Sequence, residues 1–318
     1  MPTLLSAGMV LEAIAIAASR EGKATNWRHL SERVAGEKIL HHFEITFRDA
    51  ENLAIDPLDP YIRLRFTNRR YYHTTPLTDA QKRSLAEALG GALAVQWVEG
   101  RHRRRVARLN MEAFDIRMRS ECAYRALATC LDWNCPFPPD KLPVLGLPIT
   151  AISRCVMRWA MASWPRIKIL GLIPCALLPS AVETEWLPSL RCGAHFVLTR
   201  PSALPLSAAE RTSALLAEGR ALIRFWLTAT MLGLALQPSY SPLAFAHYGL
   251  CPAELPSGEK QLAARCHKLA ARFKSALAHG PDRVAFLGRI GVPRSTVLAS
   301  RSLRLPLDAL LSKSLPDS

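Results

Sequence analysis

The chain has 318 residues, 49% hydrophobic and 21% charged, a balance that excludes a disordered or fibrous protein and supplies apolar surface for one large core or two small ones. Net charge is +15, and nine lysines among 41 basic residues leave 32 arginines. Arginine's planar fork grips phosphates and carboxylates, so the excess points to anionic partners, although arginine-rich codon usage would produce it too.

In chain order, the opening "MPTLLSAGMVLEAIAIAASREG" reads as a core helix over 5–19. It lacks a basic leader and carries Glu12 inside its apolar run, so it does not read as a signal peptide. No stretch reaches about 18 uninterrupted apolar residues, which argues against a membrane span. A polar connection follows, then the strand pattern "KILHHFEITF" and a turn-rich linker, "AENLAIDPLDP". After a basic segment, Thr78 and Gln81 form a capping box that opens a helix, and "LAVQWVEG" reads as a strand.

From Arg101 to about Leu131 the pattern predicts one long helix whose start, "RHRRRVARL", is crowded with charge. Residues 141–190 give mixed signals. "CGAHFVLTR" is a strand pattern. The next helix, of about 25 residues and roughly 37 Å, is expected to open on a second capping box of Ser207 and Glu210 and to end at Gly233. Its stretch "GRALIRFWLTATMLGLALQP" is apolar on nearly every side, with Arg220, Arg224 and Thr228 as a polar stripe. Such a helix lies between a sheet and something else, and a partner subunit is the natural candidate. "LALQP" is a short strand, "SGEKQLAARCHKLAARFKSAL" an amphipathic helix and "RVAFLGRIG" a further strand. Strands alternating with helices predict a layered α/β or α+β sheet with helices packed on it.

The eight cysteines, at positions 122, 130, 135, 155, 175, 192, 251 and 266, show no paired short spacing. They are expected to be buried, reduced thiols of a cytoplasmic protein, with no disulfide framework and no zinc site. His41 and His42 are adjacent on a strand and so face opposite ways, which argues against a shared metal. Cys266 beside His267 on a helix reads as core packing. No hydrolase elbow, P-loop or dinucleotide fingerprint is present, and no acid/base or nucleophile constellation appears, so no catalytic side chain and no metal ligand is assigned.

Three arginine segments remain: "RLRFTNRRYYHTTPL" with Arg65, Arg69 and Arg70; "RHRRRVAR" over 101–108; and "RIGVPRSTVLASRSLRLPLDALL" with Arg294, Arg301 and Arg304. The first and third set their arginines among Thr, Asn, Ser and Pro at the edges of regular structure, where side chains converge on a ligand readily. The second opens a helix, where positive charge opposes the dipole.

"DPLDPYIRLRFTNRRYYHTTPL", "LNMEAFDIRM", "GRALIRFWLTATMLGLALQP" and the third arginine segment together resemble the flavin-dependent nitroreductase superfamily. The resemblance is nearest to its two-lobed branch and to the nitroreductase-like portions associated with adenylyltransferases. It implies an α+β fold: a mixed sheet wrapped by helices, with a long buried central helix, in a single domain over 1–318 whose residues 1–60 are the remnant of a first lobe and 61–318 the main lobe. By the same carry-over the cofactor is FMN. Arg65, Asn68, Arg69 and Arg70 match the N-terminal basic motif, backbone near Gln237, Pro238, Ser239 and Tyr240 would face the flavin N5, and Arg301 and Arg304 would clasp the phosphate. The two-lobed relatives carry a segment of the form Ala-Pro-Ser-x-x-Asn-x-Gln-Pro-Trp ahead of the region matching Ser6–Ala18, and its nearest echo here is Leu236-Gln237-Pro238. Enzymatic status is therefore open at this stage.

Three functional readings follow. The first is an FMN-dependent NAD(P)H oxidoreductase acting on an electron-poor small molecule, with a homodimer among its implications. The second is a non-catalytic relative that partners an adenylyltransferase. The third, nucleic-acid binding, draws on the +15 charge but lacks any zinc-finger or RNA-recognition signature.

Overall fold

A computed structural model describes residues 2–35, 38–173, 175–205, 207–295 and 300–310. The fold is α+β, and its chain divides into two compact units. The first comprises Met1–Arg65, Leu77–Gln96 and Leu198–Leu234; the second comprises Phe66–Pro76, Trp97–Val197 and Ala235–Ser318. This division cuts differently from the expected 1–60 and 61–318, because 77–96 and 198–234 group with the N-terminal residues.

In the first unit, α1 (Pro2–Ser19) lies against α10 (Ala208–Met231), with the hairpin β1 (Lys23–Ala35) and β2 (Lys38–Asp49), α2 (Asp59–Leu64) and α3 (Asp79–Glu87) completing it. The long helix is greasy because α1 covers it. Leu4 and Leu11 pack on Leu215 and Leu216, and Ile16 packs with Leu58, Ile223 and Leu227. The two backbones approach closely at Gly8 and Gly219, where an added Cβ would run into the carbonyl oxygens of Leu216 and Leu5. The cover expected from a partner subunit thus comes from the chain's own first helix.

Glu12 on α1 accepts from Arg220 Nε at 2.6 Å and from Arg224 Nη1 at 2.8 Å, and Arg224 also reaches Asp56 at 2.9 Å, so the polar stripe of α10 is an ion-pair seam. Deeper in the unit, Arg200 and Glu218 form a two-pronged pair at 2.6 and 2.9 Å, both buried. Gly233 takes φ +70°, Leu234 N donates to Ala229 O at 2.8 Å and Gly233 N to Thr230 O at 3.1 Å, which closes the helix as a left-handed cap. At the other end Ser207 occupies the N-cap but its side chain makes no capping bond, so the second capping box does not form. The first one does: Thr78 Oγ1 accepts from Gln81 N and Gln81 Oε1 from Thr78 N.

Residues 23–35, expected as a polar connection, form β1 instead, pairing with β2 across a bulge between His29 and Ser31. His41 lies beside His29, ring centroids 5.4 Å apart.

The four-stranded sheet runs β3 (Ala94–Val98), β6 (Ala194–Thr199), β8 (Val284–Gly291), β7 (Ala235–Pro238). In the second unit α4 (Arg103–Arg119), α11 (Tyr240–Leu250) and α12 (Ala263–Leu277) form its main core with β8, through Val106, Leu109, Ala113, Leu243, Ala246, Leu269, Phe273 and Leu287. The single helix expected over 101–131 breaks at Ser120 and restarts as α5 (Glu121–Cys130). Buried Glu259 explains the break: its carboxylate accepts from Ser120 Oγ and from Cys122 N at 2.8 Å each, while Ser120 Oγ accepts from Ala123 N. A short parallel pair, β4 (Leu131–Asp132) and β5 (Leu142–Pro143), leads into the ambiguous region, which is helical: α6 (Ala151–Met161), α7 (Trp164–Leu172), α8 (Leu178–Ala181) and α9 (Leu187–Leu190). The short α13 (Leu307–Leu310) closes the described chain.

All eight cysteines are free, but only Cys192 and Cys266 are buried; positions 122, 130, 135, 155 and 175 are exposed and Cys251 is half-buried. The expectation of buried thiols fails because Cys122, Cys130 and Cys155 stand on the outward sides of α5 and α6, whose other residues, Tyr124, Leu127, Met157 and Ala160 among them, pack a small core, while Cys135 and Cys175 stand on connecting segments. Among the described residues, no helix is long and apolar enough to cross a membrane.

Candidate functional site: an arginine recess beside an apolar slot

The segment 66–73 crosses the edge of the second unit's sheet. Thr67 bridges Leu236 in parallel and Asn68 N donates to Leu236 O at 3.3 Å; further on, Tyr72 N donates to Arg191 O at 2.9 Å and His73 N to Val292 O at 2.8 Å. Asn68 is buried and works locally: its Oδ1 accepts from Arg70 N at 3.0 Å, and the buried Tyr72 hydroxyl donates back to Asn68 O. The Thr-Asn-Arg-Arg run is therefore a turn fixed by its own side chains.

A lone arginine in an all-buried strand anchors this turn. Arg289 on β8 is 2% exposed, donates through Nε to Gln237 Oε1 at 2.8 Å, and donates through Nη2 to the carbonyls of Arg69 (2.8 Å) and Arg70 (2.7 Å). Its guanidinium lies over the Tyr72 ring, 4.2 Å from the centroid. Among the described residues no carboxylate pairs with Arg69, Arg70 or Arg289. Desolvation works against the charge on Arg69, with Arg289 adding like-charge repulsion, and lowers its pKa. Burial pushes the Tyr72 hydroxyl up to about 12, so it stays a neutral donor.

Arg70, Arg69, Thr67 and Asn68 line one wall of a small recess; Pro143, Gly146, Ser300 and Arg301 line the other, and the enclosed space is about 10 Å³, the size of one water. The second wall is strapped in place. Ser300 Oγ donates to Pro136 O at 2.8 Å, Arg301 N to the same carbonyl at 3.0 Å, and Leu303 N to Pro138 O at 2.8 Å. Arg70 Nη2 reaches Leu145 O at 2.9 Å, while the exposed Arg301 side chain lies over Phe66. Two guanidinium nitrogens here, Arg70 Nε and Arg289 Nη1, are buried without a hydrogen-bond partner.

Arg69 also borders a second cavity of about 160 Å³, walled by Phe114, Met118, Leu131, Trp133, Val144 and Met157, with Gln237 and the pair Arg117–Glu185 (2.8 Å) as its polar points. Burial raises the Glu185 carboxyl pKa against the opposing pull of Arg117.

The expected site residues thus separate. Asn68, Arg69, Arg70 and Arg301 come together, and Gln237 joins them through Arg289. Arg65 belongs to the first unit, its guanidinium 4.7 Å from the Trp226 ring centroid. Arg304 is exposed and does not border either cavity. Pro238 pairs with Gly288; Ser239 N already donates to Leu287 O at 3.0 Å, which takes that backbone group out of use; Tyr240 opens α11 and packs against the core. Residues 296–299 and 311 of the third arginine segment lie outside the described residues. The cluster over 101–108 opens α4 with no acid in its first turn, Arg104, Arg105 and Arg108 pointing to solvent and Arg103 donating to Gly100 O and Cys192 O.

Arg289, Arg117 and Glu185 were not singled out from sequence. Arg289 had a signal: one cation in the otherwise apolar "VAFLGRIG" has to find acceptors or an anion once the strand is buried.

No family model matches the chain, and no curated protein matches it. It aligns with solved structures at low identity. The FMN-dependent nitroreductase NfnB from Mycobacterium smegmatis is 17% identical over 81% of this chain and 97% of that one, with a TM-score of 0.42. A nitroreductase-like family protein from Bacillus cereus is 12% identical over 81% and 95%, TM-score 0.39. NADPH:FMN oxidoreductase from Vibrio harveyi is 11% identical over 83% and 79%, TM-score 0.40.

Proposed function

We propose that the chain is an FMN-dependent oxidoreductase of nitroreductase type, passing electrons from NAD(P)H to an electron-poor small-molecule acceptor. The observation that supports this reading is the convergence of Arg69, Arg70 and Arg301 on one recess, backed by Arg289 behind the turn, with no carboxylate paired to Arg69, Arg70 or Arg289 among the described residues and with buried, unpartnered guanidinium nitrogens on Arg70 and Arg289. Desolvated positive charge such as that on Arg69 is costly unless an anion answers it, and a phosphate accepts the guanidinium fork two bonds at a time. The neighbouring slot, apolar with a few polar points, suits a flat aromatic group.

The donor set fits a cofactor that joins a phosphate to an aromatic ring, as FMN does. The enclosed space is smaller than the few hundred Å³ such a ligand fills, so binding requires the recess to open; the backbone of the second wall is held to Pro136 and Pro138, which leaves the exposed Arg301 side chain as the part that swings aside. In this reading Arg69, Arg70 and Arg301 hold the phosphate, Gln237 meets the ring edge, and Phe114, Met118 and Trp133 keep water off it. When bound, FMN supplies the hydride chemistry; the chain supplies orientation and positive charge, which favours the anionic reduced ring. The test is NADPH oxidation with a nitroaromatic acceptor. The rate is expected to depend on added FMN and to fall at least tenfold when Arg70 and Arg301 are both changed to Ala; an unchanged rate overturns the proposal.

The small enclosed volume favours a second reading, a non-catalytic relative that holds a partner such as an adenylyltransferase through its surface. Protein that binds its partner but takes up no FMN would decide for it.

A further inference from the structure

The second unit contains a group of metal-type donors that borders neither cavity. His247 stands in the last turn of α11, Cys251 is the residue that ends it, and a tight turn over Pro252–Glu254 brings Glu254 back beside both. Cys251 N donates to His247 O at 2.9 Å and Glu254 N to Cys251 O at 3.0 Å, so the backbone fixes the spacing. The donor atoms of His247, Cys251 and Glu254 all lie within 4.8 Å of one another, and His247 Nε2 is 2.9 Å from a Glu254 carboxylate oxygen.

We propose that His247, Cys251 and Glu254 form a binding site for one borderline divalent transition-metal ion, Zn²⁺ being the natural choice. Ligands roughly 2.0–2.3 Å from zinc stand about 3–4 Å from each other, so this trio needs only a small contraction to close on an ion. Thiolate, carboxylate and neutral imidazole together carry two negative charges, which match the ion's. The sulfur and nitrogen donors select zinc over calcium or magnesium, whose sites are built from oxygen. The carbonyl end of α11 also favours a cation there. Three protein ligands on a half-exposed turn leave the fourth position to water. Without metal, the same His247–Glu254 contact is a plain hydrogen bond. The site is independent of the flavin reading, since none of its residues borders the arginine recess or the slot.

The probe is Co²⁺ added to the reduced full-length chain. One equivalent is expected to give a thiolate-to-cobalt charge-transfer band with tetrahedral visible absorption, displaced by Zn²⁺. Cys251→Ser removes the charge-transfer band, His247→Gln and Glu254→Gln each weaken binding about tenfold or more, and Cys155→Ser, at an exposed thiol elsewhere, changes nothing. A band that survives in Cys251→Ser, or no saturable spectrum with Co²⁺ in large excess, overturns the proposal.

Discussion

The guanidinium of Arg289 lies over the ring of Tyr72, and the same two residues hold the backbone between them: Tyr72 donates to the carbonyl of Asn68, Arg289 to those of Arg69 and Arg70. A buried cation on the sheet thereby sets the shape of the turn that presents Arg69 and Arg70. Removing it strands three acceptors. Arg289→Met is expected to lower stability by about 2–4 kcal/mol, read from the urea midpoint at constant slope. Arg289→Lys is expected to recover little, because one ammonium cannot replace a fork that serves Gln237 and two carbonyls together. A midpoint unchanged in both variants contradicts this role.

If the recess is an anion site, inorganic phosphate stabilises the folded chain by mass action, with a gain of about 2.7 kcal/mol at a hundred times its Kd. Thermal melts in a phosphate series are expected to rise for the wild type and for Arg104→Ala, and to stay flat for Arg301→Ala and Arg70→Ala. Arg304→Ala separates motif from geometry, since the motif puts Arg304 on the phosphate whereas the structure leaves it exposed outside the recess. The geometric account predicts that it behaves like Arg104→Ala.

Gly8 and Gly219 let α1 and α10 touch backbone to backbone. Gly219→Ala is expected to cost about 1–3 kcal/mol, despite alanine's better helix propensity, because the new methyl forces the helices apart. The control is Gly171→Ala, where open space surrounds the Cβ position. Denaturation of the two variants that gives equal midpoints rules out the close crossing.

His195 is buried, its Nε2 hydrogen donated to Ser189 O at 2.8 Å, and burial pushes its pKa from 6.5 down to about 4. The unfolded chain therefore binds the proton more readily. The stability from a neutral His195 is fully present above pH 6.5 and falls away as pH drops to about 4, by about 3 kcal/mol in all. Glu185, whose pKa is raised, acts oppositely: the folded state keeps its proton to higher pH, so that contribution declines as pH rises. The difference between wild type and His195→Asn isolates the histidine, and urea unfolding between pH 4 and 7 should show a shallower acid loss in the variant. Parallel curves contradict the assignment.

The helices and strands with regular apolar periods were legible: α1, α3, α10, β7, α12 and β8 fall where the pattern puts them. β1 was not, because both of its faces mix charged and apolar residues and its pairing with β2 is a tertiary fact. The break at Ser120 depends on Glu259, 139 residues away, which no local pattern reveals. In the site, the polar turn at 67–70 and Arg301 stood out because arginines among Thr, Asn and Ser mark loop edges. Arg289 opens the third arginine segment but lies on β8 rather than at a loop edge, so its role shows only in its contacts with Gln237 and the 69–70 carbonyls, whereas Arg304 shares the Ser-rich setting of Arg301 and yet borders neither cavity. The trio at 247–254 carries no paired-cysteine spacing, since its donors are of three kinds and only the turn after α11 brings Glu254 back to His247.

The most direct test is the flavin content of the purified chain. Titrated with FMN under anaerobic conditions, the protein is expected to take up one flavin per chain, quench its fluorescence and release it on denaturation, with uptake lost in the Arg70→Ala, Arg301→Ala double variant. A colourless protein whose added FMN stays fully fluorescent and free at every ratio would contradict the account.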